Sequence, residues 1–351
     1  IPALTWGPCL QPYGRNGQLG VTITECANAK VPLDWTKPNG DTIEVYIGRK
    51  KSTNANAPQV WFLQGGPGGS ASDMVDVMGI LAGRGAASLD VDYYFLEHRG
   101  VGASARLGCA AGEAATSEAG ANVTAAEWPA CLAEMKQKWT EEGLKQFTTT
   151  NAAHDLAAVI QATRAASQKT FVYGVSYGTY WAHRYIQVTD RPPTGLILDS
   201  MVPPDEQYLS NFERQFDPVG KRLAAMCPSQ EVCRTRFPAD VWQTWSSLIT
   251  RQRTEPVCAG TKFEPGDLRI ISAVMLQQNL LNSQIPALLA RFQRCTAADV
   301  TAINTFADNL LRLLGQGLFA QADDAGKFSQ GLYSNVAFGE LWPNPPPTRD
   351  A

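Results

Sequence analysis

Histidine is the scarcest residue with catalytic chemistry in this sequence, with three in 351 residues. That scarcity argues against a histidine-built zinc site, and none of the eight cysteines falls in a C-x-x-C pattern that could replace one. Charge is also sparse, with 18% charged residues and a formal net charge of −3. Such a balance gives neither nucleic acid nor an anionic membrane surface an electrostatic footprint. No apolar run approaches the roughly 18 residues of a membrane span. No secretory signal pattern heads the chain, which reads as a mature N-terminus. What is present is globular: 44% of residues are hydrophobic. The length predicts one large domain with an insertion, or two domains.

The cysteines fall into four pairs of sequence neighbours: Cys9 with Cys26, Cys109 with Cys131, Cys227 with Cys233, and Cys258 with Cys295. An even number without metal spacing reads as four disulfides formed in an oxidising, extracytoplasmic compartment, in preference to eight buried thiols. Asn122-Val123-Thr124 fits a glycosylation sequon, a triplet that also arises by chance.

Strand and helix signals alternate through the first part of the chain. "TIEVYIGR" (42–49) alternates apolar and polar residues and predicts an outer, half-exposed strand. "PQVWFLQGGPGG" (58–69) and "VDYYFLEHRGVG" (91–102) are apolar runs that end in glycine-rich turns. A helix is predicted over 152–166, with Leu156, Val159 and Ile160 on one face. A strand at 170–173, a turn at Ser176, a helix to about 189 and the strand "GLILDS" (195–200) follow. This order predicts a mostly parallel sheet covered by helices on both faces. From about 205 to 331 the periodicity is helical, and "NVAFGELW" (335–342) predicts a return to extended structure before a proline-rich exit.

Gly174-Val175-Ser176-Tyr177-Gly178 matches G-x-S-x-G between a strand and a helix. At such an elbow the serine hydroxyl projects above the sheet, and the next amide, that of Tyr177, points at a developing oxyanion. Acyl transfer needs a second amide donor, and Gln64-Gly65-Gly66-Pro67-Gly68-Gly69 lets backbone approach a substrate without side-chain collision. The stretch lacks the lysine of a phosphate-binding loop.

Three motifs in this order, "QGGPGGS", "EHRGVGAS" and "YGVSYGTY", resemble the tripeptidyl and prolyl aminopeptidase branch of the α/β-hydrolases. The upstream "ECANAKVPLDW" (25–35) is similar to the exported tripeptidyl-aminopeptidase members. The resemblance implies an α/β-hydrolase fold, a mostly parallel sheet flanked by helices with a helical lid insertion. The first part of the core would span 1–204, the lid 205–334, and a truncated return to the core 335–351. It implies a secreted serine peptidase that releases short peptides or single residues from free N-termini, without metal or cofactor. Ser176 would be the nucleophile, and Tyr177 with Gly65 or Gly66 the oxyanion hole.

The base and its acid are missing from this pattern. His183 falls in the helix that Ser176 starts, seven residues on. His98 and His154 precede the serine and read as structural donors. Asp199 is a tempting acid, while Asp350 sits in the proline-rich tail. The resemblance places both acid and histidine on strands beyond the lid. The favoured expectation is therefore that a C-terminal segment, attached or as a separate chain, supplies them. A non-catalytic relative or an unrecognised base are the alternatives. A buried carboxylate should take the substrate ammonium, with Glu340 the first candidate and Glu206 and Glu213 behind it. Trp242, Trp245 and Phe292 read as lid core before they read as a substrate pocket. Two rival functions remain on the same fold: a secreted esterase or lipase, and a binding protein on a non-catalytic scaffold.

Overall fold

The computed structural model describes residues 2–13, 21–83, 89–117, 122–204, 209–237, 240–313, 327–343 and 345. Among these residues seven strands form one sheet: β1 Gly7–Tyr13, β2 Ile23–Pro32, β3 Thr42–Lys50, β4 Gln59–Leu63, β5 Asp92–Leu96, β6 Thr170–Val175 and β7 Gly195–Asp199. Their spatial order is β1-β2-β3-β5-β4-β6-β7. β1, β2 and β3 run antiparallel as a meander, β3 pairs antiparallel with β5, and β5, β4, β6 and β7 are mutually parallel. The parallel strands need crossovers, and helices supply them. These are α1 Met74–Gly83, α2 Trp128–Leu144, α3 Thr149–Thr163 and α4 Tyr177–Val188. This is the α/β-hydrolase fold, a mostly parallel mixed sheet flanked by helices.

β3 corrects one expectation. It lies inside the sheet, between β2 and β5, and not at its edge. Ile43, Val45 and Ile47 are buried on one face, and Tyr46 is buried on the other. Gly48 has no side chain because the Phe95 ring occupies that space, 2.3 Å from where a Cβ would stand. Alternation alone could not distinguish a half-exposed edge from a strand whose polar-looking face is covered by Tyr46 and Phe95.

Two compact units divide the chain, residues 1–207 with 322–346, and residues 208–321 with 347–351. In the second, every regular element among the described residues is helical, including α5 Asp217–Met226, α6 Glu231–Arg236, α7 Val241–Gln252, α8 Asp267–Gln277, α9 Asn279–Asn282, α10 Ile285–Arg294 and α11 Ala297–Leu313. Its own core contains Trp245, Leu268, Leu289, Phe292 and Ile303, with Trp242 packed partly buried against it. Disulfides Cys227–Cys233 and Cys258–Cys295 lie in this unit, and Cys9–Cys26 and Cys109–Cys131 in the first. No described helix is long and apolar enough to cross a membrane.

The segment expected to re-enter as a strand is instead a helix, α12 Gln330–Glu340, within the first unit. Ser329 caps it, its hydroxyl oxygen accepting from Leu332 N–H at 2.9 Å. Leu332, Val336 and Ala337 form its buried face. "NVAFGELW" begins inside the helix, so a reading started there misses the serine cap and the first apolar position.

A buried hub ties the quoted motifs together. Arg99 is 0% exposed, and its guanidinium donates to both carboxylate oxygens of Asp155, each at 2.7 Å. Its other donors reach the carbonyls of Pro32, Leu33 and Gln146 at 3.0, 2.6 and 3.0 Å. Trp35 Nε1–H also donates to Asp155, at 2.8 Å. "VPLDW", "EHRG" and α3 are thus held by one ion pair whose donors are all used.

Candidate active site

β6 hands over to α4 at Ser176, which adopts φ 53° and ψ −124° and is exposed. A non-glycine residue there costs about 1–3 kcal/mol and persists only where its surroundings impose it. The surroundings are backbone on backbone. A Cβ at Gly174 would stand 2.3 Å from Gly178 O, and one at Gly178 would stand 2.3 Å from Leu63 O. Both glycines therefore let the elbow close against the end of β4. Ser176 N–H donates to Asp199 O at 2.9 Å, and Thr179 Oγ1–H donates to Ser176 O at 2.6 Å.

The glycine loop after β4 lies directly against this serine. A Cβ at Gly65 would be 2.9 Å from Ser176 Cβ and 3.3 Å from Ser176 Oγ. Gly65 N–H donates to Gln64 Oε1 at 2.8 Å. Gly66 and Gly68 hold φ of 115° and 98°. Two contacts fix the loop from behind. Glu97, at the end of β5, accepts from Ser70 Oγ–H at 2.5 Å and from Ala71 N–H at 2.9 Å. Burial raises the Glu97 carboxyl to about 7, against those two hydrogen bonds. On the other side Gly68 O accepts from Ser329 N–H at 2.9 Å, bringing the start of α12 onto the loop.

Tyr177 supplies the amide after the serine, and its side chain is buried. Its hydroxyl lies 3.1 Å from His98 Nε2 and 2.7 Å from Thr149 Oγ1. His98 Nδ1 lies 2.6 Å from Arg99 O, so that nitrogen carries the proton and Nε2 accepts from Tyr177. Burial lowers His98 to about 4, keeping it neutral. Both of its nitrogens are engaged, so His98 is a structural group. His154 stacks on Trp35, with ring centroids 5.5 Å apart. His183 lies on α4, and seven residues at about 1.5 Å each put it roughly 10 Å along the helix from Ser176. None of the three histidines meets Ser176.

The carboxylates sort differently from their sequence ranking. Glu340, at the end of α12, is half-buried, and its Oε1 accepts from Thr149 N–H at 2.8 Å at the start of α3. Burial raises its pKa. Asp199 is exposed at the end of β7, paired in register with Val175. Glu206 and Asp350 lie outside the described residues, as does the side chain of Glu213. Sequence reading missed Glu97, Thr149 and the Arg99–Asp155 pair. Glu97 and Arg99 had one signal, charged residues at the end of an apolar strand.

No family model matches the chain. Two curated proteins do, the tripeptidyl aminopeptidases of Streptomyces lividans and Streptomyces coelicolor. Each is 27% identical over 258 residues, or 66% of this chain, and covers 47% and 46% of its own length respectively. The chain thus spans about half the length of the curated relatives it matches. A solved α/β hydrolase from Novosphingobium aromaticivorans aligns at 15% identity over 60% of each chain, with a TM-score of 0.31. In sequence, over about two thirds of its length, this α/β-hydrolase chain is similar to the tripeptidyl aminopeptidases.

Proposed function

We propose that the chain carries the nucleophile and oxyanion hole of a secreted serine aminopeptidase. The observation that carries this reading is the contact of the Gly65 backbone with the exposed, strained Ser176. Ser176 Oγ would attack the scissile carbonyl, forming an acyl-enzyme and expelling the amine of the remaining peptide. Gly65 N–H is occupied by Gln64, so Gly66 N–H and Tyr177 N–H are the donors assigned to the oxyanion. The similarity to tripeptidyl aminopeptidases supports removal of short peptides from free N-termini. Four disulfides support an extracytoplasmic site of action. Within the 205–334 expected as a lid, the helical unit 208–321 is assigned that part.

The base and its orienting acid are assigned to polypeptide beyond these 351 residues, because no histidine here meets Ser176. The edge of the sheet supports this. β7 has no strand partner on its outer side among the described residues, and Ile197 on it is 47% exposed. A fluorophosphonate should label Ser176 and leave Ser176→Ala unmodified, read by intact mass. The 351-residue chain alone should turn over a tripeptidyl anilide near background. Adding the C-terminal segment should raise the rate by orders of magnitude, since triad members act as a unit. Full turnover by the chain alone would return the base to one of its three histidines. Turnover of esters but not anilides in the complemented protein would favour an esterase on the same elbow.

A further inference from the structure

The turn after β7 is built as tightly as the elbow beside it. Ser200, like Ser176, is a non-glycine residue in the left-handed region, at φ 57°. Strain of this kind concentrates where function fixes the backbone. Two straps fix it here. Ser176 N–H donates to Asp199 O at 2.9 Å. Val202 N–H donates to Thr179 Oγ1 at 2.9 Å, and the same hydroxyl donates to Ser176 O at 2.6 Å. Asp199 through Val202 is therefore held at both ends to the serine turn.

Between the straps, the Asp199 side chain is exposed. Its Oδ2 accepts from Tyr173 O–H at 2.5 Å, and its Oδ1 from Ser200 Oγ–H at 3.1 Å. Both partners are neutral, so the carboxylate is oriented without being paired, and no lysine or arginine bridges to it among the described residues. A merely structural acceptor for Tyr173 would need neither a charge nor a strained neighbour. Glu340 is the contrasting case, since it spends one oxygen on the first turn of α3.

We infer that Asp199 is a specificity-determining residue that binds a primary ammonium group of the substrate, an inference that rests on Ser176 being the nucleophile. The ammonium is either the α-amino group of a peptide or the ε-amino group of a lysine side chain. Both present the same three donors to an oriented carboxylate. A charge-assisted hydrogen bond at this partly solvated position should give about 10-fold in affinity.

Calorimetric titration of trialanine amide, its N-acetyl form and N-acetyl-lysine amide into the 351-residue protein tests this. At least one ammonium-bearing probe should bind about 10-fold tighter than N-acetyl-trialanine amide, and which one does identifies the ammonium. Asp199→Asn keeps an acceptor for Tyr173, so it should fold with an unchanged Tm and bring the ratio to within about 2-fold. Glu340→Gln is the comparison variant. No preference in the wild type, or a preference that survives Asp199→Asn, overturns the assignment. So does a preference that only Glu340→Gln abolishes. Fluorophosphonate labelling reads the underlying proposal separately. An unlabelled Ser176 with the ammonium preference intact counts against the nucleophile alone, and a labelled Ser176 with an unmoved preference counts against Asp199 alone.

Discussion

Gly65 and Ser176 are packed so closely that a methyl group on the glycine would stand 2.9 Å from the serine Cβ and 3.0 Å from Val175 O. Gly65→Ala must therefore push the loop or the elbow aside. An overpacked contact of this kind costs about 1–3 kcal/mol. A displacement near 1 Å at a reacting centre can cost about 100-fold in rate. Fluorophosphonate labelling of Ser176 should slow by that order. Gly83→Ala is the control, because nothing lies within 4 Å of its Cβ position. Equal labelling rates for Gly65→Ala and wild type would detach the loop from the serine's chemistry.

The Arg99–Asp155 pair predicts a stability effect remote from that chemistry. Both side chains are buried, at 0% and 1% exposure. Asp155→Asn keeps the shape but leaves a buried guanidinium without its countercharge, which should cost about 3–5 kcal/mol. Arg99→Met should cost at least as much, since the carbonyls of Pro32, Leu33 and Gln146 lose their donor as well. Urea unfolding monitored by tryptophan fluorescence measures both. A loss below about 1 kcal/mol in either would mean that water replaces the missing partner.

What the sequence made legible follows from the range of the interactions. β4 and β6 could be read because each is a short apolar run closed by glycine or by the serine turn, α4 because that turn opens it, and β7 because its apolar run lies between Gly195 and the prolines at 203–204, and those signals are local. The pairing of neighbouring cysteines was equally local, and the structure joins the same pairs. β3 was misplaced because whether Tyr46 and Gly48 face water depends on Phe95, nearly fifty residues away in the chain. The Arg99–Asp155 pair, 56 residues apart, carries no local pattern. The same holds for Glu340, whose hydrogen-bond partner Thr149 lies 191 residues earlier. Composition could suggest that buried charges exist, but only the fold pairs them.

The two disulfides of the helical unit should differ in worth. Cys258–Cys295 closes a separation of 37 residues and Cys227–Cys233 one of 6. On chain entropy alone the longer loop contributes roughly 1.5 kcal/mol more. Removing each pair as a double Cys→Ala variant and comparing urea midpoints checks the order. A larger loss from the 227–233 pair would show that native-state contacts, and not unfolded-chain entropy, dominate here.

Neighbouring Glu97 and His98 should cancel in the pH dependence of stability. Burial lowers His98 from 6.5 to about 4. Between those values the unfolded chain binds a proton that the native state refuses, so this term makes stability rise with pH. Burial raises Glu97 from 4.5 to about 7. Between those values the native state holds a proton that the unfolded chain releases, so this term makes stability fall with pH. The windows overlap from 4.5 to 6.5, the ordinary values of the two groups. There the slopes are opposite and of similar size, up to roughly 1.4 kcal/mol per pH unit each. Replacing one group should expose the other. Relative to wild type, His98→Gln should lose stability as pH rises across that window, and Glu97→Gln should lose it as pH falls. Urea unfolding at several pH values, taken as variant minus wild type, removes the background of the remaining carboxylates. Parallel pH profiles for the two variants would mean that at least one of these groups changes its protonation state on a scale the fold does not set.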